Sequence, residues 1–346
     1  MADYLSKMDA RKFEEIVLAT DHHTGLKAII AIHSTARGPA LGGTRMWTYK
    51  SEDDAVEDAM RLARGMSYKS AAAELPLGGG KAVIMGDSNR DKTEALLRSY
   101  GRVVERLNGR YITAEDMGIK DADLDIVRQE TKYVMGGSAV GSPSPFTAFG
   151  VYSGIKAAVA EVTGSKDLKD LVFAVQGIGG VGSSLCQYLH DDGAKLIVAD
   201  LDDKRTEQAK TKWGAKVVAP DNIHSQDCDV FAPCGIGAII NKNSIPELNC
   251  RIVAGAANNV LEVPSDGEKL KAKGILYAPD YIINAGGIIF VELRRQGIKD
   301  DQKIFEKAGK IEDRLAEIFR RARESNKLPE EIADIFAEEK LSEAKK

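Results

Sequence analysis

At 346 residues the chain is long for one compact domain and points to about two. Its 43% hydrophobic and 29% charged residues are ordinary for a soluble globular protein. The net charge of −4 comes from interleaved acids and bases, which excludes a basic nucleic-acid surface and an acidic disordered tail.

The first nine residues, Met1 to Asp9, lack the apolar core of a signal peptide, and no apolar run approaches a membrane span. A cytoplasmic location is therefore expected, with no nucleic-acid or membrane partner. Strands are expected at Glu14 to Ala19 and Leu26 to His33, and again from Leu41 to Trp47 with an irregularity at Gly42 and Gly43. Ser51 and Asp54 resemble an N-cap and an acidic first turn, and Ala55, Ala59, Leu62, Ala63 and Met66 follow at helical spacing. That helix should end between Tyr68 and Ala73, leaving Lys69 near its C-terminus. Lys81 then opens a short apolar strand, a helix spans Lys92 to Leu107, and a strand at Tyr111 to Ala114 runs into Glu115 and Asp116.

Between Gly136 and Pro145 the composition shifts to Gly, Ser and Pro, as in a linker or hinge. A helix from Thr147 to Val162 follows. Strands then alternate with helices: Leu171 to Gln176, Lys195 to Asp200, Ala215 to Val218, Val230 to Ala232 and Arg251 to Gly255. Such alternation predicts βαβ units and a parallel sheet. The stretch from Asp301 to Glu343 is amphipathic and helical, with Pro329 starting its last helix. Cys186, Cys228, Cys234 and Cys250 show neither metal-ligand spacing nor a disulfide framework, so no metal is expected.

Two segments carry chemistry. In the first, Lys69 and Lys81 flank Gly78-Gly79-Gly80. Glycines there would let backbone approach a ligand closely. One lysine can hold an anion while the other, its charge discouraged by the first and by burial, works as a base. Taken alone, the spacing also suits a solvated lysine pair beside a turn. The second segment is Gln176-Gly177-Ile178-Gly179-Gly180-Val181-Gly182, a strand running through G-x-G-x-x-G into a helix. Gly177 would serve the tight turn, Gly179 the approach to a pyrophosphate and Gly182 the helix–strand packing, with Gly180 and Val181 in the same loop. Asp200 ends the next strand, where an acid accepts both ribose hydroxyls and repels a 2′-phosphate. NAD is thus favoured over NADP, with Asp202, Lys204 and Arg205 nearby.

Six ordered segments together resemble the amino acid dehydrogenases that act on glutamate, leucine, phenylalanine and valine. They are Gly38 to Arg45, Gly65 to Lys69, Gly78 to Lys81, Thr113 to Gly118, Gly255 to Asn259 and Ala278 to Gly287, spread in order from about residue 25 to 290, so the resemblance spans most of the chain. The resemblance implies an α/β fold of two domains with a cleft between them. Residues 1–140 would form a substrate-binding and oligomerisation domain, with the helix from about 329 to 346 packing back on it. Residues 146–328 would form a Rossmann-type, doubly wound NAD-binding domain. It also implies a homo-oligomer that exchanges an amino acid for a 2-oxo acid and ammonia.

By the same resemblance Lys69 binds the substrate carboxylate, and Lys81 and Asp116 are catalytic. Leu41, Gly42, Gly43, Met66, Ala114, Thr147, Asn259, Ile288 and Val291 would contact substrate, and Asn258, Asn284 and Gly287 the cofactor, with Asn258 and Asn259 interchangeable. Asp116 taken alone would equally suit a helix N-cap. The aliphatic pocket and Ala114 look like the leucine enzymes of the family, although Phe290 and Glu292 to Arg295 depart from their pattern. The expected reaction is NAD-dependent oxidative deamination of a branched-chain amino acid, with phenylalanine as the alternative substrate. A 2-hydroxy acid dehydrogenase would want a histidine beside an arginine clamp, which none of the five histidines offers. A non-catalytic NAD-binding protein would have no use for Lys81 and Asp116.

Overall fold

The computed structural model describes residues 3–138 and 140–344. The chain forms two compact units. One comprises residues 1–141, 294–296 and 337–346, and the other residues 142–293 and 297–336.

The first unit begins with α1 (Tyr4–Ala10), β1 (Glu15–Asp21), β2 (Leu26–Ser34), β3 (Ala40–Trp47) and the long helix α2 (Glu52–Ala72). β4 (Gly78–Met85), α3 (Glu94–Arg106), β5 (Tyr111–Ala114) and α4 (Asp121–Val127) follow. Its five strands form one mixed sheet in the order β1-β2-β4-β3-β5. β2 runs antiparallel to β1 and β4, while β3 runs parallel to β4 and β5. Helix α2 covers one face through Ala55, Val56, Ala59, Met60 and Ala63, which pack on Ile29, Ala31 and Val83. Side chains of α3 and α4, among them Leu96, Leu97, Tyr100 and Leu124, cover Ile30, Ile32, Ala82 and Ile84 on the other. A strand covered on both faces has no polar side, which is why Ala28 to Ile32 reads as a continuous apolar run. Ser51 Oγ accepts from the Asp54 amide at 3.1 Å and caps α2 as expected.

Strand β4 differs from its expected form, because it starts at Gly78 and takes in all three glycines. Their task is packing. A Cβ on Gly79 would lie 2.0 Å from the Ser67 amide nitrogen of α2, and one on Gly80 would lie 2.7 Å from the Tyr111 ring. A Cβ on Gly42 of β3 would fall 1.7 Å from the Gly80 carbonyl oxygen. The glycines thus let helix and neighbouring strand press onto β4, where the sequence suggested approach to a ligand.

The second unit starts with α5 (Ser144–Thr163), β6 (Val172–Gln176), α6 (Gly180–Asp191), β7 (Lys195–Ala199), α7 (Asp203–Trp213) and β8 (Lys216–Val217). It continues through β9 (Val230–Pro233), β10 (Ile252–Val253), α8 (Ser265–Ala272), β11 (Leu276–Tyr277), α9 (Asp280–Ile283) and α10 (Gly286–Arg295). Helices α11 (Asp301–Gly309), α12 (Ile311–Ser325) and α13 (Pro329–Glu343) complete the chain's elements, with Pro329 opening the last as expected. All six strands are parallel, in the order β11-β10-β9-β6-β7-β8. Read from β8, this is the doubly wound order 3-2-1-4-5-6, with its switch point between β6 and β9. Among the described residues no helix is long and apolar enough to cross a membrane.

Candidate active site

In the first unit the two lysines come from the two elements that the glycines bring together. Lys69 lies in the last turn of α2, and Lys81 is the fourth residue of β4. Side chains alternate along a strand, so Lys81 points to the same face as Gly79, the face that α2 covers. There it is 5% exposed, and its amine donates to Asp116 Oδ2 in a tight contact. Asp116 sits in a turn just beyond β5, where Ile119 N donates to its carbonyl at 3.0 Å. It is not a helix N-cap, since α4 begins only after Lys120. Its Oδ1 accepts from the Met117 amide at 2.5 Å.

Burial is the main reason that the Lys81 amine is pushed down to about 7, because a charged ammonium loses its hydration there. The Arg45 charge adds to this, Asp58 opposes it, and Lys69 and Arg61 add further repulsion. Arg45 and Asp58 are site residues that the sequence reading did not assign. Arg45 Nη1 donates to Asp58 Oδ2 at 2.9 Å, and Arg45 Nη2 lies 3.7 Å from Asp116 Oδ1. Tyr49 and Arg61 also donate to Asp58, at 2.7 and 2.8 Å. The signal that could have found Arg45 is strand parity, for it stands two residues after Gly43 and ends the quoted segment Gly38 to Arg45.

Of the other expected contact residues in this unit, Leu41 is buried and Met66 and Ala114 are half-buried. Gly42 and Gly43 are buried, and a Cβ on Gly43 would lie 2.2 Å from the Glu115 carbonyl oxygen. Their lack of a side chain is thus used by the sheet itself.

In the second unit the nucleotide turn divides its labour as its glycines suggest. Gly177 has φ +84°, and a Cβ there would meet the loop after β9 at Gly235, 2.9 Å away. A Cβ on Gly182 would lie 2.0 Å from the Gly177 carbonyl oxygen, so α6 packs directly on the turn. Gly179 by contrast faces open space, its nearest neighbour being Arg205 at 3.6 Å from such a Cβ. Helix α6 starts at Gly180, inside the glycine motif, so Gly180 and Val181 lie in its first turn. No side chain caps this turn among the described residues, which leaves amide donors and the positive end of the helix dipole beside the open glycine.

Asp200 follows β7 and accepts from the Ile178 amide at 2.8 Å and from the Asp202 amide at 2.9 Å. Burial alone would raise its pKa, but these donors and the Arg205 charge outweigh it and hold the carboxyl below its ordinary value. Arg205 lies 3.6 Å from Asp200 and 3.5 Å from Asp202. Asn284 ends α9 with its amide nitrogen on the Ala256 and Ala257 carbonyls and on Asn258 Oδ1, at 3.1, 3.3 and 3.0 Å. Its own Oδ1 is buried and meets no donor among the described residues. An acceptor without a donor, an open glycine beside free amides and an ionised carboxylate at the strand end fit a dinucleotide with a terminal carboxamide. Asn259 adopts φ +51° and carries the chain past Asn258. Thr147 and Gly287 are in contact, since a Cβ on Gly287 would lie 2.9 Å from Thr147 Oγ1. Ile288 is buried and Val291 half-buried in the same helix. Among the described residues no cluster of His, Cys, Asp or Glu could hold a metal ion.

Residues 13–133 match the family model described as Glu/Leu/Phe/Val dehydrogenase, dimerisation domain, and residues 198–344 match the glutamate/leucine/phenylalanine/valine dehydrogenase model. The chain belongs to this family. It is an amino acid dehydrogenase, an oxidoreductase that works with NAD. The chain is 49% identical to the leucine dehydrogenase of Thermoactinomyces intermedius, over 99% of this chain and 94% of that protein. It is 44% identical to the valine dehydrogenase of Streptomyces coelicolor, over 96% and 93%. The crystal structure of the L-tryptophan dehydrogenase of Nostoc punctiforme superposes with a TM-score of 0.90 at 43% identity, covering 99% of this chain and all of that one.

Proposed function

We propose that this dehydrogenase acts on branched-chain aliphatic L-amino acids, leucine first and valine and isoleucine to a lesser degree, giving the 2-oxo acid, ammonia and NADH reversibly. The observation that carries the reading is the buried Lys81 amine in contact with Asp116 beside Lys69. Lys69 binds the substrate carboxylate as a cation. Asp116 accepts a proton from the substrate ammonium. The bound nicotinamide supplies the acceptor for the hydride of the α-carbon, and an iminium ion of the substrate remains. Neutral Lys81 takes a proton from the water that attacks this iminium carbon. Asp116 then returns its proton to the nitrogen, the C–N bond breaks as the carbonyl forms, the hydroxyl proton leaves with the ammonia as ammonium, and Lys81 sheds its proton to solvent before the next turnover.

Residues 1–140 take the substrate and residues 146–328 the nucleotide in this reading. Gly177, Gly179, Gly180, Val181 and Gly182 would cradle the pyrophosphate, Asp200 the ribose, and Asn258, Asn284 and Gly287 the nicotinamide end. By resemblance, Thr147, Asn259, Gly42 and Gly43 would contact the substrate. The side chains assigned to its apolar end are Leu41, Met66, Ala114, Ile288 and Val291. None is a cation that could receive a second carboxylate, which argues against glutamate. The dimerisation-domain match supports a homo-oligomer.

The tryptophan relative favours a second reading, an aromatic substrate. Initial rates of NADH formation with leucine, valine, phenylalanine and tryptophan separate the two. Apolar pockets discriminate by about 1–3 kcal/mol per methylene. The expected order therefore has leucine highest, valine roughly tenfold lower and the aromatic acids lower still. Highest kcat/KM with tryptophan or phenylalanine would overturn the branched-chain assignment.

A further inference from the structure

We propose that Arg45 is a positioning residue for the deamination chemistry: it braces Asp116 through Oδ1 while Oδ2 faces the Lys81 amine, sets a like charge beside that amine, and is itself held by Asp58. The register pairs Arg45 with Val83 of β4, two residues from Lys81, so both side chains rise from the sheet face that α2 covers. Nη1 of Arg45 is spent on Asp58 at 2.9 Å, and Nη2 reaches toward Asp116 Oδ1 at 3.7 Å. Asp58 is fixed in turn by Tyr49 at 2.7 Å and by Arg61 at 2.8 Å, so the guanidinium rests against an anchored carboxylate. Arg45 and Asp58 are each only 16% exposed in their side chains, which keeps solvent screening low.

The charges that face Lys81 come from three elements. Helix α2 supplies Asp58, Arg61 and Lys69, strand β3 supplies Arg45, and the turn after β5 supplies Asp116. From β2 the residue paired with Lys81 is Ala31, which carries no charge. Arg45 and Asp58 act on the amine with opposite signs, Arg45 favouring the neutral form and Asp58 the ammonium.

The proposal rests on Lys81 being the base, and the test separates the two ideas. The pH dependence of kcat/KM for leucine is measured for the wild type, Arg45→Gln, Arg45→Lys and Asp58→Asn. Wild type should show an acid limb. Arg45→Gln should move that limb upward by roughly one pH unit, as expected for loss of a like charge at this range. Its activity should then fall about tenfold below the limb and much less above it, because only the neutral fraction of the amine has changed. Arg45→Lys should restore most of the shift, and Asp58→Asn should move the limb downward. A uniform loss at every pH, or limbs that stay in place in both variants, would overturn the role of Arg45. Absence of an acid limb in the wild type would instead refute Lys81 as the base. Should Arg45→Gln fail to fold, Tyr49→Phe, which removes only one brace of Asp58, carries the same comparison. An unmoved limb in both Tyr49→Phe and Asp58→Asn would then count against the proposal.

Discussion

A lysine amine at Lys81 is held between two opposing demands. Burial and the charges of Arg45, Lys69 and Arg61 discourage its proton, while Asp58 and the touching Asp116 carboxylate encourage it. The outcome, an amine titrating near 7, lets it serve as a base where an ordinary lysine would be fully charged. General-base contributions of this kind are worth about 10²–10⁴ in rate. Lys81→Ala should therefore lower turnover by that range and leave NAD binding, followed by quenching or calorimetry, unchanged. Unchanged turnover would remove Lys81 from the mechanism. Lys81, Lys69 and Asp116 could be named from the sequence because the resemblance attaches a role to each. Arg45, though it ends the quoted segment Gly38 to Arg45, and Asp58 could not, because their meeting depends on the β3–β4 register and on which stripe of α2 faces the sheet.

At the scale of elements, the run Gly78-Gly79-Gly80 was conspicuous in the sequence, yet its purpose was not. A glycine that admits a ligand and a glycine that admits a helix look alike until the neighbouring chain is in place. The structure places α2 against Gly79 with no room for a methyl group, and the position of Lys69 follows from that approach. Gly79→Ala should consequently push α2 off the sheet, lower the melting temperature and abolish activity, since overpacking of this kind costs about 1–3 kcal/mol or more. Gly65→Ala, on the exposed side of the same helix with nothing within 4 Å of the added carbon, should instead raise stability by about 0.5–1 kcal/mol. Thermal melts of the two variants test this contrast, and equal behaviour would contradict it. The longer strands and helices were legible from their periodicity. The two-residue strand β11 and the short helices α1, α4 and α9 are too brief to show any. They are fixed by tertiary pairing, as when Leu276 and Tyr277 of β11 pair with Ile252 and Val253 of β10.

For the whole molecule, the proposed function divides one reaction between the two units. The parallel sheet with its switch point at β6 and β9 presents an open glycine, free helix amides, the Asp200 carboxylate and the waiting Asn284 carbonyl to a dinucleotide. The mixed sheet presents a pair of lysines with unequal surroundings, one in the last turn of a helix and one sunk in a strand. Hydride chemistry belongs to the cofactor, so the step that this chain must supply for itself is the activation of water at neutral pH. That step succeeds only in the molecules whose Lys81 is neutral. The pH profile of kcat/KM for leucine with saturating NAD, between about pH 5 and 10, measures that fraction most directly. The account predicts a rate that rises tenfold per pH unit at the acid end and levels off above a midpoint near 7, the value to which burial pushes Lys81. A profile still climbing through the ordinary lysine range, with a midpoint near 10.5, would mean that Lys81 keeps its proton and would contradict the account.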